Sequence, residues 1–270
     1  MKLKYYGTAA AEGFPGMFCE CDTCKRARAV GGRSIRTRSQ SALDGRILID
    51  ACPDTYLHVL NHGLDLTNIK AVLITHSHFD HFDPGVFECL AKGKAVRFAD
   101  KLDVYAGEKV CERLAGVVPE RIVLHPVVAF ESFETYGYTV RPVPAMHSSA
   151  TSPFNYIITK DGRSILYAHD TGEYSDDVYD RIKDSGVIFD LLSLDCTYGI
   201  SYKEQCDHHM NVDTMMRMVK RFSDMGMLSR NSVVVANHFS HFCGNTYDEL
   251  CELTKNSGIV VSFDGMEVEI

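Results

Sequence analysis

The run Leu73-Ile74-Thr75-His76-Ser77-His78-Phe79-Asp80-His81 constrains this chain more than any other stretch. Ile69, Ala71, Val72, Leu73 and Ile74 form an apolar run of strand length, and Asp83-Pro84-Gly85 opens a new element behind them. Three histidines and an aspartate therefore sit where a buried strand ends. Imidazole and carboxylate are common ligands of divalent first-row metals, and an irregular loop can aim alternate side chains at two neighbouring ions. The bland alternative is a polar loop that happens to hold histidines. The spacing His-x-His-x-Asp-His directly after an apolar strand favours ligands.

The same arrangement recurs down the chain. Thr139 to Met146 leads into His147, and the second strand of a hairpin ends in Ala168-His169-Asp170-Thr171-Gly172. Val233 to Ala236 leads into Asn237-His238-Phe239-Ser240-His241. His76 to His81, His147, Asp170 and His238 thus each close a strand-like run. In α/β sheets ligands collect at the carboxyl ends of strands, so residues far apart in sequence can converge there.

Between these points strands alternate with helices, which indicates an α/β fold. Leu3 to Gly7 reads as a strand, and Ser39 to Leu43 with Ile47 to Ile49 reads as a hairpin around Asp44-Gly45. Thr55 to Asn61, Val86 to Ala91, Lys109 to Leu114, Ser175 to Lys183 and Val212 to Phe222 have helical spacing, the last with Asn211 as N-cap. Val104-Tyr105, Ile122 to Leu124 and Val187 to Leu194 read as strands. A second hairpin joins Phe154 to Thr159 with Ser164 to Tyr167 around Asp161-Gly162. With no linker, low-complexity segment or clear repeat, residues 1–270 are expected to form one domain.

Charge and cysteine usage narrow the function. A formal net charge of −8 over 270 residues argues against a broad nucleic-acid footprint, which depends on cationic neutralisation of phosphates. A small anionic substrate remains compatible, because metal ions create a local positive field. No apolar run reaches the roughly 20 residues needed to cross a bilayer. Met1 to Tyr6 reads as a strand rather than a signal peptide, so a cytoplasmic protein with reduced thiols is expected. Ten cysteines then divide into two groups. Cys19, Cys21 and Cys24 fall within six residues and supply three corners of a tetrahedral zinc site. Cys52, Cys89, Cys111, Cys196, Cys206, Cys243 and Cys251 are scattered and carry no assigned chemistry. His58 and His62 stand four apart on a helix, but without the Glu of His-Glu-x-x-His they read as packing or surface residues.

The histidine motif resembles the signature of the metallo-β-lactamase superfamily. The resemblance implies a four-layer αββα sandwich with a dinuclear site at the sheet edges. It implies that His76, His78 and His147 hold one ion, that Asp80, His81 and His238 hold the other, and that Asp170 bridges them. The opening Gly7-Thr8, Gly13-Phe14-Pro15 and Cys19-x-Cys21-x-x-Cys24 is similar to that of the PhnP phosphodiesterases, and a similar opening occurs in PqqB proteins. Resemblance to PhnP implies a structural zinc on Cys19, Cys21, Cys24 and His241, in a loop at about residues 13–30, together with dimerisation. It further implies hydrolysis of small phosphodiesters, cyclic ones included, with manganese, zinc or nickel at the paired site.

Two divalent ions carry about +4, and Asp80, Asp170 and a bridging hydroxide remove about 3, leaving roughly one positive charge for a phosphodiester monoanion. Such a pair lowers the pKa of bound water towards about 7 and so supplies a nucleophile at neutral pH. His208-His209 precedes a helix start, where an anion is favoured. His209 is the candidate for protonating the leaving group, with Asp80 the other catalytic candidate; which of His208 and His209 faces the site is open. Three rival readings stand beside the diesterase. A lactonase or β-lactamase would use the same chemistry at carbon, a tRNase Z-like nuclease would need a basic surface beyond Lys25 to Arg38, and a PqqB-like protein would be non-hydrolytic.

Overall fold

The computed structural model describes residues 1–91, 93–95, 101–201 and 207–270, so Cys206 lies outside the described residues. The first half runs β1 (Lys2–Gly7), α1 (Asp22–Val30), β2 (Gln40–Leu43), β3 (Ile47–Ile49), α2 (Thr55–His62), β4 (Ala71–Ile74), α3 (Pro84–Glu88), β5 (Leu102–Ala106), α4 (Glu108–Leu114) and β6 (Ile122–Pro126). The second runs β7 (Phe133–Thr135), β8 (Tyr138–Pro144), β9 (Phe154–Lys160), β10 (Arg163–Ala168), α5 (Asp176–Lys183), β11 (Phe189–Asp195), α6 (Val212–Asp224), β12 (Leu228–Asn237), α7 (Tyr247–Thr254), β13 (Ile259–Val261) and β14 (Glu267–Glu269).

These strands form two seven-stranded sheets, ordered β14-β1-β2-β3-β4-β5-β6 and β13-β12-β11-β10-β9-β8-β7. Each sheet contains a group of antiparallel strands followed by parallel strands joined by helical crossovers. The sheets face each other across Leu3, Tyr5, Leu73, Tyr156, Ile165 and Leu191. The outer face of the first sheet packs Val72, Ile74 and Val104 against Phe87, Val110 and Leu114 of α3 and α4. The outer face of the second packs Leu192 and Leu194 against Tyr179 of α5, Met215, Met218 and Phe222 of α6 and Leu250 of α7. This is the metallo-β-lactamase αββα sandwich. Burial on both faces explains why β4 reads as an unbroken apolar run rather than an alternating one.

Turn chemistry sets the registers. In both hairpins an Asp-Gly pair takes positive φ, 49° and 64° at Asp44-Gly45 and 49° and 75° at Asp161-Gly162, as a type I′ turn requires. The helix expected over Val86 to Ala91 is a correction: it spans Pro84–Glu88, because Asp83 caps Gly85 N and Pro84 occupies the first turn. Helices α1 and α7 and strands β7, β13 and β14 were not anticipated. Among the described residues no helix is long and apolar enough to cross a membrane.

Candidate functional site

Strands β3, β4, β8, β10, β11 and β12 all end at one edge of the sandwich, and the loops leaving them carry the polar residues. Three of those residues, Asp50, Asp170 and His238, have φ of 66°, 57° and 65°, a left-handed conformation that costs a non-glycine residue energy and gathers at functional sites. The ends of β4, β8, β10 and β12 bring all seven histidine and aspartate positions together. His76, His78, His147 and Asp170 have one ligand atom each within 4.8 Å of one another, and so do Asp80, His81, Asp170 and His238. Asp170 belongs to both sets.

The contacts within these sets fit metal coordination better than hydrogen bonding. His76 Nε2 lies 3.0 Å from His78 Nδ1, His147 Nε2 lies 3.1 Å from the same Nδ1, and His81 Nε2 lies 3.2 Å from His238 Nε2. His76 Nε2 and His81 Nε2 lie 3.0 Å and 3.2 Å from Asp170 Oδ2. Ligands about 2.0–2.1 Å from a tetrahedral ion lie about 3.3 Å from each other, so these spacings are those of ligand edges. Among the described residues, Asp170 Oδ1 and His147 Nδ1 are buried without a partner in hydrogen-bond geometry; they lie 3.6 Å from each other, and Asp170 Oδ1 lies 3.1 Å from His209 Nδ1. Paired divalent ions on these residues would satisfy the converging lone pairs.

Residues behind the ligands set their tautomers. His81 Nδ1 donates to Asp50 Oδ2 at 2.7 Å, so its Nε2 lone pair faces the cluster. Asp50 Oδ1 accepts from the Thr75 amide at 2.8 Å and hydroxyl at 2.9 Å; that hydroxyl oxygen lies 3.1 Å from His76 Nδ1 and can accept a hydrogen bond from it. On the second sheet, Thr197 donates to Asp195 Oδ2 at 3.0 Å and accepts from His238 Nδ1 at 2.9 Å. Carboxylates holding the far nitrogens of ligating imidazoles fix ring orientation and raise basicity. Neither Asp50 nor Asp195 was singled out from sequence as part of the site. The available signal was position, since each closes a strand at the ligand-bearing edge.

Electrostatics agrees with this division. Burial raises the Asp170 carboxyl, but His238 and His76 hold it well below the usual carboxylate range. Asp80 is likewise raised by burial and brought below its ordinary value by His81. Burial pushes His147 down to about 4 and, joined by His76, lowers His78. These rings are neutral at neutral pH and present lone pairs. His81 is the exception: Asp80 and Asp50 outweigh burial and raise the ring well above its usual value, so a metal ion at Nε2 would have to displace a proton there.

His209, not His208, faces the carboxylates: its Nδ1 lies 3.1 Å from Asp170 Oδ1 and 3.2 Å from Asp195 Oδ2. His208 instead sets its ring edge-on to His147 at 5.7 Å. Asp170, Asp195, His209 and His238 also have ligand atoms within 4.8 Å of one another. Asp195 is nevertheless occupied as an acceptor, taking the amides of Asp170, Thr197 and Met210 at 3.0, 3.0 and 2.9 Å. It orients its neighbours rather than offering an open ligand position. His209, Tyr198, Glu12 and Phe242 join the clusters in lining a cavity of about 270 Å³.

A separate set lies behind the cavity wall. Cys19, Cys21, Cys24 and His241 each place one ligand atom within 4.8 Å of the others. Cys19 Sγ and Cys21 Sγ lie 3.5 Å and 3.6 Å from His241 Nδ1. A Zn–S bond of about 2.3 Å gives tetrahedral edges of about 3.8 Å, so a zinc ion fits. Burial raises the Cys21 thiol, but the Cys24 amide and His241 bring it down to about 6. Burial and the other two thiols push Cys24 up to about 12, the expected result of crowding anions without a cation. His58 and His62 take no part. His58 is buried, with Nδ1 2.6 Å from Gln40 Oε1 and Nε2 2.8 Å from Thr37 Oγ1.

Comparison with known proteins places this geometry. Residues 45–239 match the family described as the beta-lactamase superfamily domain. A curated octanoyltransferase of Porphyromonas gingivalis is 31% identical over 118 residues, 42% of this chain and 22% of that protein. Coenzyme PQQ synthesis protein B of Cupriavidus taiwanensis is 26% identical over 316 aligned positions, 99% of each chain. The chain spans 22%, 31% and 47% of the lengths of the first three curated relatives it matches. A crystal structure of a diphosphatase from the PhnP family superposes with a TM-score of 0.77 at 22% identity, over 100% of this chain and 97% of that one.

Proposed function

The chain belongs to the beta-lactamase superfamily, and we propose from that premise that it is a dinuclear metal-dependent hydrolase of small phosphodiesters. The observation that carries this reading is the pair of ligand clusters sharing Asp170. In this reading His76, His78, His147 and Asp170 would hold one divalent ion, and Asp80, His81, Asp170 and His238 a second. Manganese, zinc and nickel all suit such a nitrogen and oxygen set. When bound, the ions supply a hydroxide nucleophile near neutral pH and a positive clamp for an anionic group.

The chain's own residues do the rest. Only two carboxylates, Asp80 and Asp170, belong to the clusters, so about +2 of ionic charge is left to meet a hydroxide and a monoanionic diester. His209 lines the cavity with Nδ1 held against Asp195. That contact fixes the ring and makes it the group that protonates the departing oxygen. Cys19, Cys21, Cys24 and His241 would hold a zinc, which would tie the N-terminal loop to the turn after His238. The PhnP-family diphosphatase supports attack at phosphorus by its fold alone.

The test is a parallel assay of bis-p-nitrophenyl phosphate, a 2′,3′-cyclic nucleotide, a lactone and nitrocefin, each with manganese, zinc and nickel. Diesters are expected to turn over fastest. Preference for the lactone or nitrocefin would overturn the reading. The near-full-length relatives named as coenzyme PQQ synthesis protein B favour one second reading, a non-hydrolytic oxidative role. Metal-dependent oxygen uptake without diester hydrolysis would establish it.

A further inference from the structure

Gln40, the first residue of β2, is fully buried. Its side-chain amide makes three contacts: Nε2 donates to Asp50 O and to Thr55 Oγ1, each at 2.9 Å, and Oε1 lies 2.6 Å from His58 Nδ1. Both partners of Nε2 must accept, because Asp50 O is a carbonyl and Thr55 Oγ1 gives its one proton to Cys52 O at 2.6 Å. The nitrogen therefore faces Asp50, and Oε1 accepts from His58 Nδ1. His58 ligates nothing, but it fixes which way this amide points.

The carbonyl that Gln40 holds belongs to a peptide pinned at both ends. Asp50 O accepts from Gln40, and the Ala51 amide of the same peptide donates to His81 O at 2.9 Å. The Asp50 carboxylate accepts from His81 Nδ1 at 2.7 Å. One dipeptide, Asp50-Ala51, thus grips His81 by main chain and by ring. Asp50 does so at a φ of 66°, a conformation that costs a non-glycine residue energy and persists only where its surroundings over-determine it. Without a donor at Gln40 the buried carbonyl loses its side-chain partner, and turning this peptide to seek another would also pull the Ala51 amide from His81. We propose that Gln40 is a positioning residue: by holding the Asp50-Ala51 peptide it keeps His81 Nε2 aimed at the cluster it forms with Asp80, Asp170 and His238. This rests on the dinuclear reading only for what the aimed ring then holds.

The experiment compares Gln40→Met, close in length and volume but unable to donate, with Thr55→Val, which removes the amide's other acceptor and leaves Asp50 O in place. In metal-free protein at neutral pH, proton–nitrogen NMR of the histidines reads the contact directly. Wild type and Thr55→Val are expected to show a His81 Nδ1 proton protected from solvent exchange, and Gln40→Met to lose about tenfold of that protection. Manganese titration, followed by calorimetry and electron paramagnetic resonance, reads the consequence. Gln40→Met should bind the second of two ions about tenfold more weakly, the loss typical of a missing partner behind a ligand, with a smaller change for the first. A merely structural role would lower the denaturant midpoint of both variants and move neither the His81 signal nor the gap between the two ions. Wild-type protection retained in Gln40→Met, or the same loss in Thr55→Val, would overturn the proposal. Should Gln40→Met not fold, Gln40→Glu keeps the shape and loses the donor, and rapid exchange of the Gln40 amide protons in wild type refutes the proposal without any variant. Binding of fewer than two manganese ions by wild type counts against the dinuclear reading, and the metal-free signal then judges Gln40.

Discussion

His209 illustrates how little of a residue's role its type reveals. Its sequence neighbour His208 is chemically identical, yet only His209 points Nδ1 at Asp170 and Asp195. With the metals retained, His209→Ala is expected to lower diester turnover at least tenfold, a loss typical of a missing general acid. An unchanged rate at full metal occupancy would remove the assignment. Asp50 acts one shell further out, through the 2.7 Å contact to His81 Nδ1. Asp50→Asn should weaken metal binding about 10- to 100-fold, read by competition with a chelator, and equal retention would refute it. His58 tests a different force. Burial first, then His62, pushes its ring down to about 3, whereas the unfolded chain titrates near 6.5. Between these values the unfolded state binds the extra proton, so stability is full above about pH 6.5 and falls as pH drops, by up to about 1.4 kcal/mol per unit. His58→Gln cannot titrate, and its denaturant midpoint should vary less between pH 6.5 and 4 than that of wild type. Parallel curves would contradict this.

At the scale of elements, the informative parts are junctions. Gly172 closes the Asp-Thr-Gly turn after β10, and a Cβ placed there would fall on the Asp207 carbonyl. The segment leading to His209 therefore packs directly on the turn that carries Asp170. Gly172→Ala should displace it and lower turnover at least tenfold, with a smaller effect on metal content; wild-type kcat/KM would show the contact to be dispensable. Helix α6 was legible because Asn211 caps Thr214 N at 2.9 Å ahead of a regular apolar stripe. Helix α7 carried an equally legible mark, the capping box Thr246-x-x-Glu249. Only two of its residues, Leu250 and Thr254, are buried, so the stripe that would accompany that mark is short. Helix α1 was obscured by its own thiols: Cys21 serves as N-cap and Cys24 sits in the first turn, so ligand chemistry displaced the helical reading. Strands β7, β13 and β14 span three residues each. They exist because a neighbouring strand offers hydrogen bonds, which no local pattern announces.

Across the whole molecule, the thiol cluster ties the N-terminal loop to a turn 222 positions away, since Cys19 and Cys21 meet His241 just after His238. Cys21→Ser is expected to lose about one zinc per chain while the exchangeable pair remains, and to lower the melting temperature by at least roughly 5 °C. Equal zinc content in variant and wild type would reject the site. What the amino-acid order determined by itself was chemistry and periodicity: which side chains are of a type that could ligate metals, and that each follows a strand. Both are local properties, carried by residue type and by the spacing of apolar positions. Only the tertiary structure decided that β4, β8, β10 and β12 end at a common edge, that His209 rather than His208 turns inward, and that Asp50 and Asp195 stand behind His81 and His238. Those facts depend on strand order and on φ at Asp50, Asp170 and His238. Both are settled by contacts between segments that are not adjacent in the sequence.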